Sequence, residues 1–215
     1  MKKQYEAILF DFDGVLLDTE PLHFACWREV MEPLGVDLDW PTYDTRIRGL
    51  SSDGLLEALR HLAHPPLGIE DVRAVYPVKI EMFRRRVLSM NNLMSADTKQ
   101  LLEDLSGYKL GVVSSGRKPH VFPLLERAGV LHCFGAVVCQ EDVREIKPAP
   151  EPYLRAARQL EVTSALVVED SEAGRRSGHA AGFDVLMTPD CAAMPSLVRE
   201  WLGMKPLHIG RHADA

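Results

Sequence analysis

The sequence predicts an α/β fold: a three-layer Rossmann-like core with a mostly parallel sheet, plus an inserted α-helical cap domain. Three observations support this prediction. Short apolar runs recur along the chain, helical patterns separate the later runs, and a predominantly helical insert spans residues 18–93 after the first run. Buried strands that alternate with helices form parallel sheets with helices on both faces.

Five apolar runs, bounded by turn or polar residues, predict the strands of the sheet. Each run is short enough for a buried strand and shorter than a typical helix. The runs are Ala7 to Phe10, Leu110 to Val113, Ala136 to Cys139, Ala165 to Val168 and Val185 to Met187.

Three helical patterns lie between the later strands. The first covers Lys118 to Ala128, with Pro119 near its start and Gly129 after its end. Proline is favoured in the first turn of a helix and glycine just past its end, so these residues mark the helix boundaries. The other two patterns cover Glu151 to Leu160 and Ser171 to Ala181.

The insert after the first strand is too long to be an ordinary crossover between neighbouring strands. Its helical patterns cover Pro21 to Leu34, Asp53 to Leu62 after Ser51, and Ile69 to Leu88. A further helix is expected just before Leu110. We therefore assign residues 1–17 and 94–215 to the core domain and residues 18–93 to the cap domain, with residues 205–215 as a loose end.

Charge and hydropathy exclude several classes of partner. The 31 acidic and 25 basic residues leave a formal net charge of −6, which provides no broad basic surface for nucleic acid or an anionic membrane. No stretch approaches the roughly 20 apolar residues that cross a bilayer. These features predict a cytoplasmic protein with neither a nucleic-acid nor a membrane partner, either a monomer or a small homo-oligomer.

The four cysteines are widely spaced and form no CxxC pair. They are Cys26, Cys133, Cys139 and Cys191, in mostly apolar surroundings. We expect reduced packing residues, although a disulfide or zinc site is the alternative.

Two carboxylates follow the first predicted strand. Side chains at i and i+2 of an extended segment point the same way, so Asp11 and Asp13 can face one pocket while Gly14 lets the chain turn. Two like charges this close need a cation or a shared proton. In isolation, the same pattern is also typical of a turn or a helix cap.

A second acidic pair, Glu169 and Asp170, follows the fourth predicted strand. Taken singly, these residues could cap the helix that comes next. Ligand crevices of open α/β sheets lie at the carboxyl ends of the strands, so the two pairs together predict one metal site. Hard oxygen ligands with few histidine or cysteine neighbours favour Mg²⁺.

Two further elements follow predicted strands. Ser114, Ser115 and Gly116 precede a helix, where backbone N–H groups and the Ser114 hydroxyl can bind a phosphoryl oxygen or simply cap the helix. Lys147 lies beside Pro148 in the loop after the third strand, where a cation offsets crowded negative charge. A lone lysine is otherwise a solvated surface residue.

Taken in order, these elements resemble the four motifs of the haloacid dehalogenase-like superfamily: Asp11-x-Asp13-Gly14, Ser114, Lys147 and Glu169-Asp170. The resemblance implies that Asp11 is the nucleophile on a phosphate ester and Asp13 the general acid and base. It also implies that Ser114 and Lys147 stabilise charge on the transferring phosphoryl group. The implied Mg²⁺ ligands are the Asp11 carboxylate, the Asp13 main-chain carbonyl and Asp170, with Glu169 in support. Asp13 argues against dehalogenation, which needs no protonated leaving oxygen.

The insert resembles the small cap of the β-phosphoglucomutase and phosphoglycolate phosphatase branch. His23, Lys79 and the turn from Arg48 through Gly49 to Ser51 match cap positions. These side chains, together with Ser115 and Gly116, are therefore expected to bind substrate. His23 could equally pack beside Trp27 without touching substrate.

One departure from that branch bears on the reaction. The mutases carry an arginine directly after the Gly-x-Ser turn, and this sequence has Ser52. A serine cannot form the two parallel hydrogen bonds by which an arginine binds a phosphate. Its presence favours a Mg²⁺-dependent phosphatase that acts on a sugar or polyol phosphate or phosphoglycolate through an aspartyl-phosphate. A β-phosphoglucomutase-like mutase is the alternative. A non-catalytic phosphometabolite-binding protein is the third, and it is disfavoured because no motif residue is missing.

Overall fold

The computed structural model describes residues 5–50, 52–90 and 93–204 of the chain, without the side chains of Ser52 and Asp53. Its sheet has five parallel strands in the order β3-β2-β1-β4-β5. The strands are β1 (Ala7–Phe10), β2 (Lys109–Val113), β3 (Ala136–Val138), β4 (Ala165–Glu169) and β5 (Asp184–Met187). The predicted α/β class is confirmed, and every predicted strand is present.

Strand β1 lies at the centre of the sheet, because it pairs with β2 on one side and β4 on the other. Its residues alternate between the two faces: Ile8 and Phe10 join one buried cluster, and Ala7 and Leu9 join the other. Since both faces are covered, all four residues are apolar and fully buried. The pairing continues past the strand, where the Asp11 N–H donates to Val168 O at 2.9 Å.

Helices cover both faces of the sheet and complete the three layers. The helices α5 (Ala96–Asp104), α6 (Lys118–Ala128) and α9 (Met194–Leu202) contribute to the cluster around Ile8 and Phe10. On the opposite face, α7 (Glu151–Leu160) contributes to the cluster around Leu9, and α8 (Glu172–Ala180) packs beside α7. The ends of α6 and α7 agree with the sequence prediction.

The segment between β1 and α5 is helical, as predicted. It contains α1 (Glu20–Met31), α2 (Trp40–Arg46), α3 (Ser52–Arg60) and α4 (Ile69–Ser89). Trp27, Met31, Tyr43, Leu59 and Val72 belong to a third buried cluster drawn from this segment alone. The segment therefore buries apolar side chains of its own as well as packing on the sheet layers.

Two helices in the described residues were not predicted, α2 and α9. Helix α2 is only 7 residues long and buries a single side chain, Tyr43, so it carries too little apolar periodicity to be detected. Its signals are local: the Asp39 carboxylate accepts the Thr42 N–H at 2.8 Å, and Pro41 lies in the first turn. The predicted helix from Pro21 to Leu34 ends as α-helix at Met31 and continues as a 3₁₀ turn over Glu32–Leu34.

The structure also bears on two predictions made for the whole chain. Among the described residues, no helix has the length and apolarity that a membrane crossing requires. All four cysteines are free thiols.

Candidate active site

The predicted site residues meet at the carboxyl edge of the sheet. Asp11 and Asp13 follow β1, Ser114 follows β2, Glu169 and Asp170 stand at the end of β4, and Lys147 lies in the loop between β3 and α7. Because parallel strands end at the same edge, four separate parts of the chain deliver polar side chains to one crevice.

Lys147 is the buried centre of this group and is 8% exposed. Its Nζ donates to Asp11 Oδ1 at 2.5 Å, to Glu169 Oε1 at 2.6 Å and to Val113 O at 2.9 Å. Three acceptors satisfy the three protons of an ammonium group. One cation therefore joins the ends of β1, β2 and β4.

Glu169 is fully buried, and both of its oxygens are occupied. Oε1 accepts from Lys147 and from the Tyr153 hydroxyl at 2.7 Å, while Oε2 accepts the N–H groups of Asp170 and Ser171 and the Ser171 hydroxyl. These bonds fix the carboxylate and aim it at Lys147. In this arrangement Glu169 supports the lysine and leaves Asp170 to face the crevice.

Gly174 makes room for this carboxylate. A Cβ at position 174 would overlap the Glu169 carboxyl group, whose buried position leaves it no space to withdraw. We expect Gly174→Ala to destabilise the fold by about 1–3 kcal/mol, the range for overpacking, and to lower Tm by several degrees. Gly107→Ala is the matched control, because a Cβ there meets nothing within 4 Å. Thermal unfolding checks the pair, and equal Tm values would contradict this account of Gly174.

The electrostatics of the crevice call for a cation. Burial raises the pKa of Asp11 well above its ordinary value; Lys147 opposes this shift, while Glu169 and Asp170 add to it. Burial would lower the pKa of Lys147, but the Asp11 and Glu169 carboxylates raise it, so the lysine stays charged. One ammonium group thus faces three carboxylates, and a divalent cation would lower the pKa of Asp11 again.

The donor set fits Mg²⁺. Carboxylate oxygens of Asp11, Glu169 and Asp170 lie within 4.8 Å of one another. Because both Glu169 oxygens already accept hydrogen bonds, Asp11 and Asp170 are left as ligands, and hard carboxylate oxygens are what Mg²⁺ prefers. Asp170 Oδ2 lies against Gly14, where a Cβ would overlap it, so only glycine allows this approach. The same oxygen forms a 2.5 Å ion pair with Arg48 Nη2, which supplies positive charge at that position.

Asp13 lies in the same crevice but has different neighbours. Its Oδ1 accepts a hydrogen bond from the Thr19 hydroxyl, and His120 Nε2 lies 4.0 Å away. Burial would raise the pKa of Asp13, but His120, His23 and the Thr19 hydroxyl outweigh it and hold the pKa below the ordinary value. The two aspartates therefore have pKa values shifted in opposite directions: without a cation in the crevice, Asp11 is the more easily protonated of the two.

A cavity of about 980 Å³ opens above these residues, between the sheet edge and the helices of residues 20–89. That volume is at the upper end for small-molecule sites. The predicted site residues that line it are Asp11, Asp13, His23, Arg48, Gly49, Lys79, Ser115, Gly116, Lys147 and Asp170. Trp27, Leu55, Ile80 and Phe83 add an apolar wall.

His23 and Lys79 form one unit on the cavity wall. Lys79 Nζ lies 2.6 Å from His23 Nδ1 and about 5 Å from the ring centres of Trp27 and Phe83. Burial lowers the pKa of Lys79 to about 8. Burial and the neighbouring lysine lower the pKa of His23.

Ser114 is buried at the end of β2, and its Oγ accepts the Gly116 N–H at 2.9 Å. This bond shapes the turn that places Ser115 and Gly116 on the cavity wall. Ser51, the last residue of the predicted cap turn, lies outside the described residues, as does the C-terminal segment from residue 205.

Several contacts of the predicted acidic residues were not predicted. Among them are the Thr19 hydroxyl on Asp13, the Tyr153 hydroxyl on Glu169 and the ring of His120 near Asp13. Thr19 could have been found from its position shortly after the Asp-x-Asp-Gly turn, which keeps its hydroxyl within reach of Asp13. Tyr153 and His120 offer no such signal, because each lies in a helix whose rotation about its axis decides the contact.

Comparison with known proteins places this geometry in a family. A family model for haloacid dehalogenase-like hydrolases matches residues 8–188. The fructose-1-phosphate phosphatase YqaB of Escherichia coli (strain K12) is 31% identical over 190 residues, covering 86% of this chain and 97% of that protein. The β-phosphoglucomutase of Bacillus subtilis (strain 168) is 29% identical over 190 residues, covering 83% of this chain and 80% of that protein.

A solved structure supports the same assignment. The crystal structure of CbbY from Rhodobacter sphaeroides in complex with phosphate is similar to this fold with a TM-score of 0.70, at 28% identity and covering 86% of each chain. The chain belongs to the haloacid dehalogenase-like hydrolase family. Its predicted enzyme class, a phosphatase of this family, is confirmed.

Proposed function

We propose that the protein is a Mg²⁺-dependent phosphatase that hydrolyses a small phosphorylated metabolite, a sugar or polyol phosphate or phosphoglycolate, through an aspartyl-phosphate. The observation that carries the proposal is the convergence of Asp11, Lys147, Glu169 and Asp170 at one sheet edge beneath a large cavity. Asp11 lines this cavity and keeps one oxygen outside the Lys147 contact.

In the first step, an Asp11 carboxylate oxygen attacks phosphorus as the bond from phosphorus to the ester oxygen breaks. Asp13 gives its proton to the departing oxygen, which leaves as an alcohol. Lys147 holds Asp11 in place and offsets negative charge that develops on the phosphoryl oxygens. The turn over Ser115 and Gly116 lies on the cavity wall where its N–H groups can bind those oxygens.

In the second step, water attacks the phosphorus of the aspartyl-phosphate. Asp13 takes a proton from that water, the bond between phosphorus and Asp11 breaks, and orthophosphate leaves. Both carboxylates return to their starting states, so the cycle consumes one ester and one water.

Asp11, the Asp13 main-chain carbonyl and Asp170 would hold Mg²⁺, and Glu169 would support them through Lys147. When bound, the ion would supply positive charge that stabilises the transferring phosphoryl group. Arg48 would leave the Asp170 oxygen it now contacts, and would then be free on the cavity wall.

We propose that residues 18–93 act as the cap that selects the leaving group. His23, Lys79, Arg48 and Gly49 bring this segment to the cavity opposite the carboxylates. In the mutase alternative, a cationic side chain of the cap must bind a second phosphate group of the substrate. Lys79 is engaged with His23, and Ser52 stands where the mutases carry an arginine, which favours hydrolysis over phosphoryl transfer between two positions of one sugar.

A panel of phosphate esters tests the reaction and its metal requirement. The panel contains fructose 1-phosphate, glycerol 3-phosphate, phosphoglycolate and β-glucose 1-phosphate. With Mg²⁺, at least one of these esters should release orthophosphate, and in excess chelator no ester should release it. Formation of glucose 6-phosphate in place of orthophosphate from β-glucose 1-phosphate would establish the mutase instead. Persistent hydrolysis in chelator would remove the metal from the mechanism.

Mg²⁺ binding can be measured without turnover. A ligand that binds only the folded protein raises Tm with its concentration, so Mg²⁺ should raise Tm of the wild-type chain. Asp170→Asn should lose this rise, whereas Asp37→Asn, which changes an exposed aspartate, should keep it. An equal rise in both variants would place the ion elsewhere.

A further inference from the structure

His120 has a ring nitrogen without a partner. Its Nε2 is shielded from solvent and makes no hydrogen bond within the described part of the chain. Leaving a buried polar group unpaired costs about 1–3 kcal/mol. Asp13 Oδ1 lies 4.0 Å from this nitrogen, roughly 1 Å beyond hydrogen-bond range.

Packing holds the His120 ring from several sides. Phe12 meets it edge-on with ring centres 6.3 Å apart, and Phe83 and His23 lie at 4.9 and 5.6 Å. Rings on this many sides restrict its rotation. The Asp13 carboxylate is 24% exposed beside the cavity, so it is the partner with room to move.

Asp13 stands between two different parts of the chain. Its present partner, Thr19, is the N-cap residue of α1 and belongs to the predicted cap. His120 lies in the first turn of α6, packed on the sheet. If the cap moves relative to the sheet, Thr19 moves with it, as do Phe83 and His23, whereas His120 keeps its place on α6 and its edge contact with Phe12.

We propose that His120 is a positioning residue for Asp13, with its Nε2–H donating to the carboxylate when that group leaves Thr19. One Asp13 oxygen then binds His120, and the other is free to hold the proton that passes to the leaving oxygen. This proposal rests on the proposed function, in which Asp13 is the general acid.

The same side chains could be taken for a metal site, because Asp13, His23 and His120 offer ligand atoms within 4.8 Å of one another. Lys79 argues against it. Its Nζ lies 2.6 Å from His23 Nδ1, where a metal-bound histidine ordinarily donates to an acceptor. The positive charge beside His23 favours a carboxylate neighbour over a second cation.

The test compares two esters and two variants. His120→Phe keeps the ring and removes Nε2, while His120→Gln restores an N–H donor near the Nε2 position. The esters are an alkyl phosphate that the wild-type enzyme cleaves and p-nitrophenyl phosphate, whose leaving group departs without a proton. The measured quantity is the ratio of kcat/KM for the alkyl ester to that for the aryl ester. Because kcat/KM covers only the steps through formation of the phosphoryl-enzyme, the later role of Asp13 as a base does not enter.

We expect this ratio to fall about 10–100-fold in His120→Phe, because a misplaced acid slows only the ester that needs its proton. His120→Gln should recover most of the ratio, and Asp13→Asn should show a fall at least as large. His179→Phe is the control, because His179 is an exposed histidine on α8. Its ratio should equal that of the wild type.

An unchanged ratio in His120→Phe, with or without an equal loss for both esters, would refute the positioning role. Should that variant fail to fold, His120→Asn serves instead, because its amide reaches only the Nδ1 position and the same fall is expected. If the wild-type chain cleaves no alkyl ester of the panel above and no p-nitrophenyl phosphate, the proposed function fails and this proposal fails with it. Cleavage of both esters with an unchanged ratio refutes the role of His120 alone.

Discussion

Asp11→Asn should abolish orthophosphate release while leaving the fold intact. The amide has nearly the same shape as the carboxylate but no nucleophilic anion, so the phosphoryl group has no acceptor. We expect turnover to fall by a factor on the order of 10⁴ or more, as for other enzymes that lose their nucleophile. The measurement is orthophosphate release with Mg²⁺ from the best ester of the panel.

Stability separates this effect from unfolding. Burial raises the pKa of Asp11, and the charges of Glu169 and Asp170 raise it further. The carboxylates of the wild-type crevice therefore repel one another. Removing one of these charges should leave Tm unchanged or raise it, while Lys147 keeps its bond to Glu169. Rapid acid quenching and mass spectrometry should find a phosphoryl group on the Asp11 peptide of the wild type and none in the variant. Turnover by Asp11→Asn close to that of the Asp37→Asn control would contradict the nucleophile assignment.

The fold was predictable wherever the core requires apolar residues. Strands β1 to β4 are buried along most of their length, whereas the edge strand β5 buries Leu186 alone. Each strand still appears in the sequence as a short apolar run, and predicted and observed ends differ by at most one residue. Proline and glycine marked the ends of α6 in the same way. Helix α2 was missed because it buries one tyrosine only, and a single apolar position cannot show the 3.6-residue spacing of a helix. Helix α9 was missed although it has the same signals as α6, with Pro195 in its first turn and Gly203 directly after its end.

The residues of the candidate site were also predictable only in part. Asp11, Asp13, Glu169 and Asp170 were predictable because carboxylates that follow parallel strands must meet at one edge. Lys147 was predicted from its place in the loop after β3, beside Pro148, and the family resemblance then gave its role. Tyr153 and His120 could not be predicted, because their contacts with Glu169 and Asp13 depend on how a helix is rotated against the sheet.

Lys147→Met should produce the largest loss of stability among substitutions in the crevice. Lys147 Nζ joins Asp11, Glu169 and Val113 O, and its side chain is 4% exposed. Removing one partner from a buried ion pair leaves uncompensated charge and costs about 3–5 kcal/mol. Turnover should fall at least about 10²–10³-fold, because a donor to the transition state is lost as well. Lys99→Met, at an exposed position on α5, is the matched control.

The pH dependence of this loss identifies its cause. Burial alone would raise the pKa of Glu169. Groups that favour its charged form, of which Lys147 is the strongest, hold the pKa below its ordinary value. Without the lysine, the pKa values of Glu169 and Asp11 in the folded protein lie above those in the unfolded chain, so the folded state binds more protons. Stability then falls as pH rises from about 4, the ordinary carboxyl range, through the raised values. Denaturant unfolding should therefore show a larger deficit of Lys147→Met against the wild type at pH 8 than at pH 5. A deficit independent of pH would mean that Lys147 contributes by packing its aliphatic stem rather than by its charge.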